Sequence, residues 1–591
     1  MKLSSYLHRL VGIYSDFPRF VKLIILSLPV LVFVFPIISS GNGVIPGDYD
    51  MQVQMTEAAR KSIIEYRQFP LWNPWVAGGV PLFADPQFGL FTPQTLLSFV
   101  LGASYAWKIT LSLYFFVGFF SMRALLISLT DKNEFVSVVL SYVWVFGSFF
   151  ALRATGHFTF MLLTLLPLAV LLALRMGDSK KNRVYLMLLF AFSFNAAMHY
   201  SSILMLIAVV AFILLDLVSR VAIQHIEDRL SLVDSILFAL KESLSFVRNM
   251  LFVCCGALLI NLPKIYLGGK YLASNSVDRS GFYEPFIGLW TGIRSMALPF
   301  DSVQYEQLPF GLFEASSYIG GLTFILTALL TTYYLWVKIF KKDYLGILKS
   351  RVLTISVFIG ATFLIGLGGY VYAGLRILPI FSSMRVSTRW LFLTSFGVVL
   401  LLSVVVDKTK QDYLFKRRLN VFLYPLLLLS LAQVFFVGLN LQKANWSKSS
   451  MINAYSEVDK NTDKVVDGEI DWQTNINSNY YALTQATVNN KSQLVADNAL
   501  VDTTILGTIR CDQDDSGCGY ILTNNAEVTY WSPNRMVLKR TGPGVIELNI
   551  NPGKNWMVNG KAIYAKKTVS SADRFLIEDE SKDITVNYSL F

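Results

Sequence analysis

Apolar runs of about 18 or more residues recur through the first three quarters of this chain, each long enough to cross a bilayer. No other feature constrains the fold as strongly. A bilayer offers the backbone no hydrogen-bond partners, so each run must close its own bonds as a helix. Composition agrees. Of 591 residues, 54% are hydrophobic and only 15% are charged, whereas a soluble chain carries nearer a quarter charged residues. The expected class is a polytopic α-helical membrane protein with about eleven spans.

The runs lie near 23–40, 106–127, 135–150 and 159–174, then as two that meet at His199, the second ending at Asp216. Five more follow near 250–267, 318–337, 352–372, 391–406 and 419–439. The net charge of +11 does not point to nucleic acid, because the cations sit in short loops between runs. Arg175, Lys180, Lys181 and Arg183 form one such group; Lys338, Lys341, Lys342, Lys349 and Arg351 form another. A third is Lys408, Lys410, Lys416, Arg417 and Arg418. Loops of this kind are cytoplasmic by the positive-inside rule. The N-terminus is then cytoplasmic and its first helix a retained span rather than a signal peptide. Loops 41–104 and 268–317 fall outside, in the manner of a bacterial inner-membrane protein. The charged, amphipathic stretch 219–249 is expected to lie on the cytoplasmic face with His225 solvated. Cys254 and Cys255 read as core residues of an apolar span.

Near Trp446 the composition turns polar, dividing the chain into a membrane domain at 1–445 and an extracytoplasmic tail at 446–591. Alternating runs at 528–531, 536–539, 545–550 and 584–588 are separated by turn signals such as Asn551-Pro552-Gly553 and Asn559-Gly560. They predict a small β-domain, a sandwich or partial barrel. Cys511 and Cys518 flank a polar loop in this oxidising compartment, which predicts a local disulfide. The acids between them lack the spacing of a calcium loop.

Loop 47–94 is polar and then Trp/Pro/Gly-rich. Read as a helix from Asp48, it places Asp50, Gln54, Glu57 and Lys61 on one face. Met51, Met55, Ala58, Ala59 and Ile63 lie on another, giving an amphipathic helix against something apolar. Asp48 reads either as an N-cap after Pro46-Gly47 or as a site residue. Asp50 fits a cap less well, and acids at the mouth of a bundle tend to be functional.

Several motifs here are similar to those of the GT-C superfamily of membrane glycosyltransferases, most closely the YfhO-like membrane proteins. They are Asp50-x-x-x-Gln54, Pro70-x-Trp72-Asn73-Pro74, Gly78-Gly79-x-Pro81 and Phe91-x-Pro93. Elsewhere they are Gly156-His157, Glu314-x-x-x-Tyr318-Ile319-Gly320, the run from Leu378-Pro379 to Arg385, Arg389 and Trp390, and Pro552-Gly553-x-x-Trp556. A His directly after the first acidic motif, present in some GT-C branches, is replaced here by Gln54 nearby.

The resemblance implies an extracytoplasmic, inverting transfer of a sugar from a polyprenyl-phosphate donor to an envelope glycan, lipid or protein acceptor. Such a reaction needs an acid to take the acceptor proton or to hold a divalent cation, Mg or Mn. Asp50 is the first choice for both roles and Asp48 the second. It also needs cations for the phosphate leaving group, a task suited to the Arg fork. Arg385 and Arg389, four residues apart, are the candidates, with snorkelling to headgroups as the alternative. Gln54, His157 and Glu314 are expected at the substrate. Trp72 and Trp75 would stack on a sugar ring or belong to an interfacial aromatic belt. No Rossmann fingerprint or P-loop is present, as a lipid-linked donor requires. The rival functions are a transporter or flippase of lipid-linked saccharides and a non-catalytic scaffold that binds envelope glycans.

Overall fold

The structure, a computed structural model, describes residues 17–41, 48–73, 80–130, 133–155, 158–197, 200–227, 232–274 and 286–299. It also describes 314–378, 381, 384, 386–410, 416–447, 523, 525–548, 555–562, 566–567 and 573–589. Among these residues, eight helices are long and apolar enough to cross a membrane, or nine if one bent pair counts as a span.

Helix α1 (Arg19–Ser39) is followed by α2 (Asp48–Ile64), the paired strands β1 (Trp72–Asn73) and β2 (Val80–Pro81), and α3 (Pro93–Leu101). Next come α4 (Ala103–Leu129), α5 (Glu134–Val145) and α6 (Ser148–Arg153). A 3-10 segment, Phe158–Leu165, leads into α7 (Leu166–Leu174), α8 (Lys180–Ala197), α9 (Ser201–Glu227), α10 (Leu232–Ile260) and α11 (Leu262–Ser274). The helical part closes with α12 (Leu289–Ala297), α13 (Gly321–Phe340), α14 (Tyr344–Lys349), α15 (Val352–Gly366), α16 (Gly369–Leu375), α17 (Leu391–Lys410) and α18 (Lys416–Asn445).

The expected count of about eleven is revised for physical reasons. The run at 159–174 starts as a tight 3-10 turn and is short. Helix α8 opens with Lys180, Lys181 and Arg183, so its 18 residues are not apolar throughout. The run at 352–372 is two helices bent by 96°. Gly368 and Gly369 take φ of 78° and 62° at the bend, a region open to glycine. The stretch at 219–249 is not an interfacial helix of its own. It divides between the end of α9 and the start of α10, so α10 enters from Leu232 and breaks at Asn261. Cys255 is exposed on the α10 surface rather than buried in a core.

Helix α17 is the axis of the bundle, buried along its membrane-length part and packed by α15, α13 and α5. Outward faces carry exposed Leu23, Ile24, Phe35, Leu259, Phe422 and Phe436, a surface suited to lipid and not to water. Hydroxyls inside the helices bond back to the preceding turn, as Thr110 Oγ1 does to the Ala106 carbonyl at 2.8 Å. Gly438 lets α18 approach closely, because a Cβ there would collide with the Phe146 carbonyl oxygen and the Phe33 ring.

The two ends of the bundle differ. One end gathers ion pairs, mostly between helix residues: Arg123 with Glu134 (2.6 Å), Lys349 with Glu227 (2.6 Å), and buried Asp216 with Arg351 (2.7 Å) and Arg220 (3.1 Å). The other end carries α2, the β1–β2 pair and the tail.

The tail is β-rich, as its alternating pattern predicts. Strands β3 (Ala526–Ser532), β4 (Arg535–Arg540), β5 (Ile546–Leu548), β6 (Trp556–Val558), β7 (Lys561–Ala562), β8 (Lys566–Lys567), β9 (Asp573–Ile577) and β10 (Asp583–Tyr588) form two antiparallel sheets. Their orders are β3-β4-β10-β6-β7 and β5-β9-β8. In β10, Ile584, Val586 and Tyr588 point inward, and Ile584 opposes Leu538 while Val586 opposes Met536. Asn559 and Gly560, both with positive φ, close the β6–β7 hairpin.

Candidate functional site

Helix α2 forms where the sequence predicts it, but it is not a surface helix. Every side chain from Gln52 to Ala59 is buried, polar and apolar alike. Tyr49 anchors its start edge-on to the rings of Trp107 and Trp446, which ties the loop to α4 and to the end of α18. Lys108 Nζ donates to the Gly41 carbonyl at 2.5 Å. Trp107 Nε1 donates to Thr56 Oγ1 at 2.8 Å. On the remaining face, Asn73 donates to Gln54 Oε1 at 3.3 Å and Gln52 donates to Gln87 Oε1 at 3.5 Å. Glu57 receives Arg60 at 2.6 Å. Asn73 and Gln87 therefore fold back onto the polar face, a tertiary covering that helical periodicity does not contain.

Beneath that covering lies a pair of charges the sequence reading did not single out. Asp85, in the turn after β2, and Lys264, on α11, are both buried, and each charge acts on the other. The Gln87 backbone N–H donates to Asp85 Oδ1 at 2.7 Å. Lys264 Nζ lies 5.7 Å from the centre of the Phe88 ring and has no hydrogen-bond partner among the described residues. Burial pushes the Asp85 carboxyl up to about 6, opposed by the Gln87 hydrogen bond and by Lys264. Burial likewise lowers the Lys264 ammonium to about 8, opposed by Asp85. One signal was available: Lys264 interrupts an apolar run, and an ionisable residue in such a run asks for a function.

A second cluster joins four elements. Glu314 accepts from Arg389 Nε at 2.8 Å and from Arg389 Nη2 at 2.5 Å, a two-point fork. It also accepts from Arg153 Nη2 at 2.8 Å. Arg153 lies over the Phe149 and Phe160 rings, and Arg389 over Phe160 and Tyr200. Tyr200 donates to the Val386 carbonyl at 3.2 Å. The cluster ties the end of α6, the start of α9, the lead into α13 and the lead into α17 at the same end of the bundle as α2.

These contacts revise several expectations. Glu314 and Arg389 hold each other through Arg389 Nε and Nη2, which gives each a structural partner. Trp72 does not offer a stacking face: it is buried against Trp556 and Tyr588 as part of the tail's core. Gln54 bonds Asn73 beneath the loop. The side chains of Asp48 and Asp50 lie outside the described residues, although both belong to α2. Trp75, His157, Arg385, Cys511 and Cys518 also lie outside the described residues.

The expected divalent cation is assigned to Asp50, whose side chain lies outside the described residues. Among described residues no three His, Cys, Asp or Glu side chains converge. Glu314 is filled by two guanidinium groups, and Asp85 faces an ammonium, so each already has a cation beside it.

The tail is joined to this end by the segment 68–72. Gln68 donates to Ser532 Oγ at 2.9 Å, and Asn534 donates to the Phe69 carbonyl at 2.7 Å. The Trp72 N–H donates to Asn534 Oδ1 at 3.2 Å, and Tyr66 meets Trp531 edge-on. No protein-family model, curated protein or solved structure matches this chain.

Proposed function

We propose that this protein is a membrane glycosyltransferase that moves a sugar from a polyprenyl-phosphate donor to a cell-envelope acceptor. The observation that carries this reading is the gathering of buried polar side chains at one end of an apolar bundle. Gln52, Gln54, Asp85, Lys264, Arg153 and Glu314 are buried, and the Arg389 side chain is only 11% exposed. Burying such groups costs free energy that a lipid-facing scaffold has no reason to bear. The motif resemblance supplies the reaction class.

In this mechanism Asp50, at the start of α2, takes the proton of the acceptor hydroxyl as its oxygen attacks the anomeric carbon, with Asp48 as second choice. The bond from that carbon to the phosphate oxygen breaks, and polyprenyl phosphate leaves with the electron pair. Arg385 steadies the phosphate. Arg389 is assigned a positioning role, holding the lead into α17 through Glu314. No step passes through a metal.

The discontinuous helices favour a second reading, a flippase for lipid-linked saccharides. The 96° bend between α15 and α16 and the break at Asn261 resemble the interrupted helices of transport pathways. Mass spectrometry of envelope glycans separates the two when the gene is deleted and then restored with Asp50→Asn. Transfer predicts that a defined sugar is missing from its acceptor in both strains. Normal glycans in both would end the proposal.

A further inference from the structure

Two buried charge clusters in the same protein follow opposite rules. Glu314 and its arginines close to hydrogen-bond distance, at 2.5 to 2.8 Å, as a structural ion cluster should. Asp85 and Lys264 lie within electrostatic reach, yet the ammonium has no acceptor among the described residues although Lys264 is only 2% exposed. An ammonium carries three donors, and leaving them unmatched in the interior is costly. Evolution of a purely structural pair would have closed the gap or made it apolar.

The surroundings say what the gap suits. Asp85 offers carboxylate acceptors and is steadied by the Gln87 N–H. Lys264 offers donors. Phe88 supplies an aromatic face beside them, and the Gln87 amide in the same turn is met by Gln52 from α2. Acceptor, donor, amide and ring face together match the edge and face of a sugar, whose hydroxyls both donate and accept. A phosphate would meet repulsion from Asp85, and a bare alkyl chain would leave both charges unmatched.

We propose that Asp85, Lys264 and Phe88 form a saccharide-binding subsite, in which a sugar hydroxyl donates to Asp85 and a neighbouring sugar oxygen accepts from Lys264. The subsite rests on the glycosyl-transfer reading and adds to it the residues that recognise the sugar, apart from Asp50, which does the chemistry.

The test uses the full-length protein in nanodiscs and isothermal titration calorimetry. The probes are bare polyprenyl phosphate and polyprenyl-phosphate glucose, mannose and galactose. Wild type is expected to bind at least one sugar lipid about tenfold or more tightly than the bare lipid. Asp85→Asn and Lys264→Met should each weaken that sugar lipid by about 10- to 100-fold, the worth of a hydrogen bond to a charged group, and leave the bare lipid unchanged. If both variants still prefer the sugar lipid as wild type does, the subsite is wrong and the transfer reading stands. If wild type itself shows no preference for any sugar lipid, the transfer reading fails and the subsite with it. Should Lys264→Met not fold, Asp85→Asn keeps its shape and decides the matter alone.

Discussion

Replacing Glu314 with Gln keeps the side chain's shape and removes the charge that two buried guanidinium groups share. The Arg153 side chain is 0% exposed, Glu314 6% and Arg389 11%, so water cannot take over. Glu314 accepts three charge-assisted hydrogen bonds from the two arginines. Their gross worth is offset by the cost of having desolvated all three charges, so the bonds cannot simply be summed. What the substitution leaves is two like charges with no counter-charge, and breaking a buried pair in this way costs about 3–5 kcal/mol. Glu314→Gln should therefore lower the unfolding free energy of the purified protein in detergent by about that amount. Tryptophan fluorescence can follow it, since Trp390 adjoins Arg389 in the chain. The combined change Arg153→Met, Glu314→Leu and Arg389→Met should recover most of the loss, because apolar replacement of a whole buried cluster is often neutral. Unfolding of Glu314→Gln within about 1 kcal/mol of wild type would refute the structural role. It would return Arg389 to the phosphate.

Trp72→Ala removes a loop residue from the core of the tail and should cost about 3–5 kcal/mol there; limited proteolysis of residues 523–589 should then proceed faster, and unchanged proteolysis would refute the docking. The Asp85–Lys264 pair gives a pH signature. Asp85 is raised from 3.8 to about 6, so as pH falls through 6 the folded state takes up a proton the unfolded chain does not, and stability rises. Lys264 is lowered from 10.5 to about 8, so as pH rises through 8 the folded state releases a proton early, and stability again rises. Relative to Asp85→Asn combined with Lys264→Met, wild type should show a stability trough between pH 6 and 8; a flat difference would contradict the pair. For orientation, a cysteine at exposed Glu65 should react with a membrane-impermeant thiol reagent in intact cells and one at exposed Lys181 should not, and the reverse pattern would invert the topology.

Hydropathy read the helical class directly, because spanning segments must be long and apolar. It did not show where a run departs from one straight apolar helix: three cations open α8, and two glycines bend the run at 352–372. The tail strands were legible from alternation, as β10 shows, with Ile584, Val586 and Tyr588 on the inner face. The start of α2 was legible too. Its burial was not, because the cover comes from residues 72–73 and 80–90 folding back, and periodicity describes one element at a time. Glu314 and Arg389 were visible as candidates, but their pairing spans 75 residues of sequence and gives no local pattern. Trp72 looked like an interface aromatic, and its partners Trp556 and Tyr588 lie in another part of the chain. Asp85 drew no notice among prolines and phenylalanines.

Sugar transfer in proteoliposomes tests the central claim most directly. Purified wild-type protein is supplied with a labelled polyprenyl-phosphate sugar and envelope acceptor material, and label on the acceptor is measured over time. Loss of a general base costs about 10²–10⁴-fold in rate. Wild type should transfer label, and Asp50→Asn, folded and inserted equally well, should be slower by that factor. Full activity in both Asp50→Asn and Asp48→Asn, or no transfer by wild type from any sugar lipid, would contradict the account.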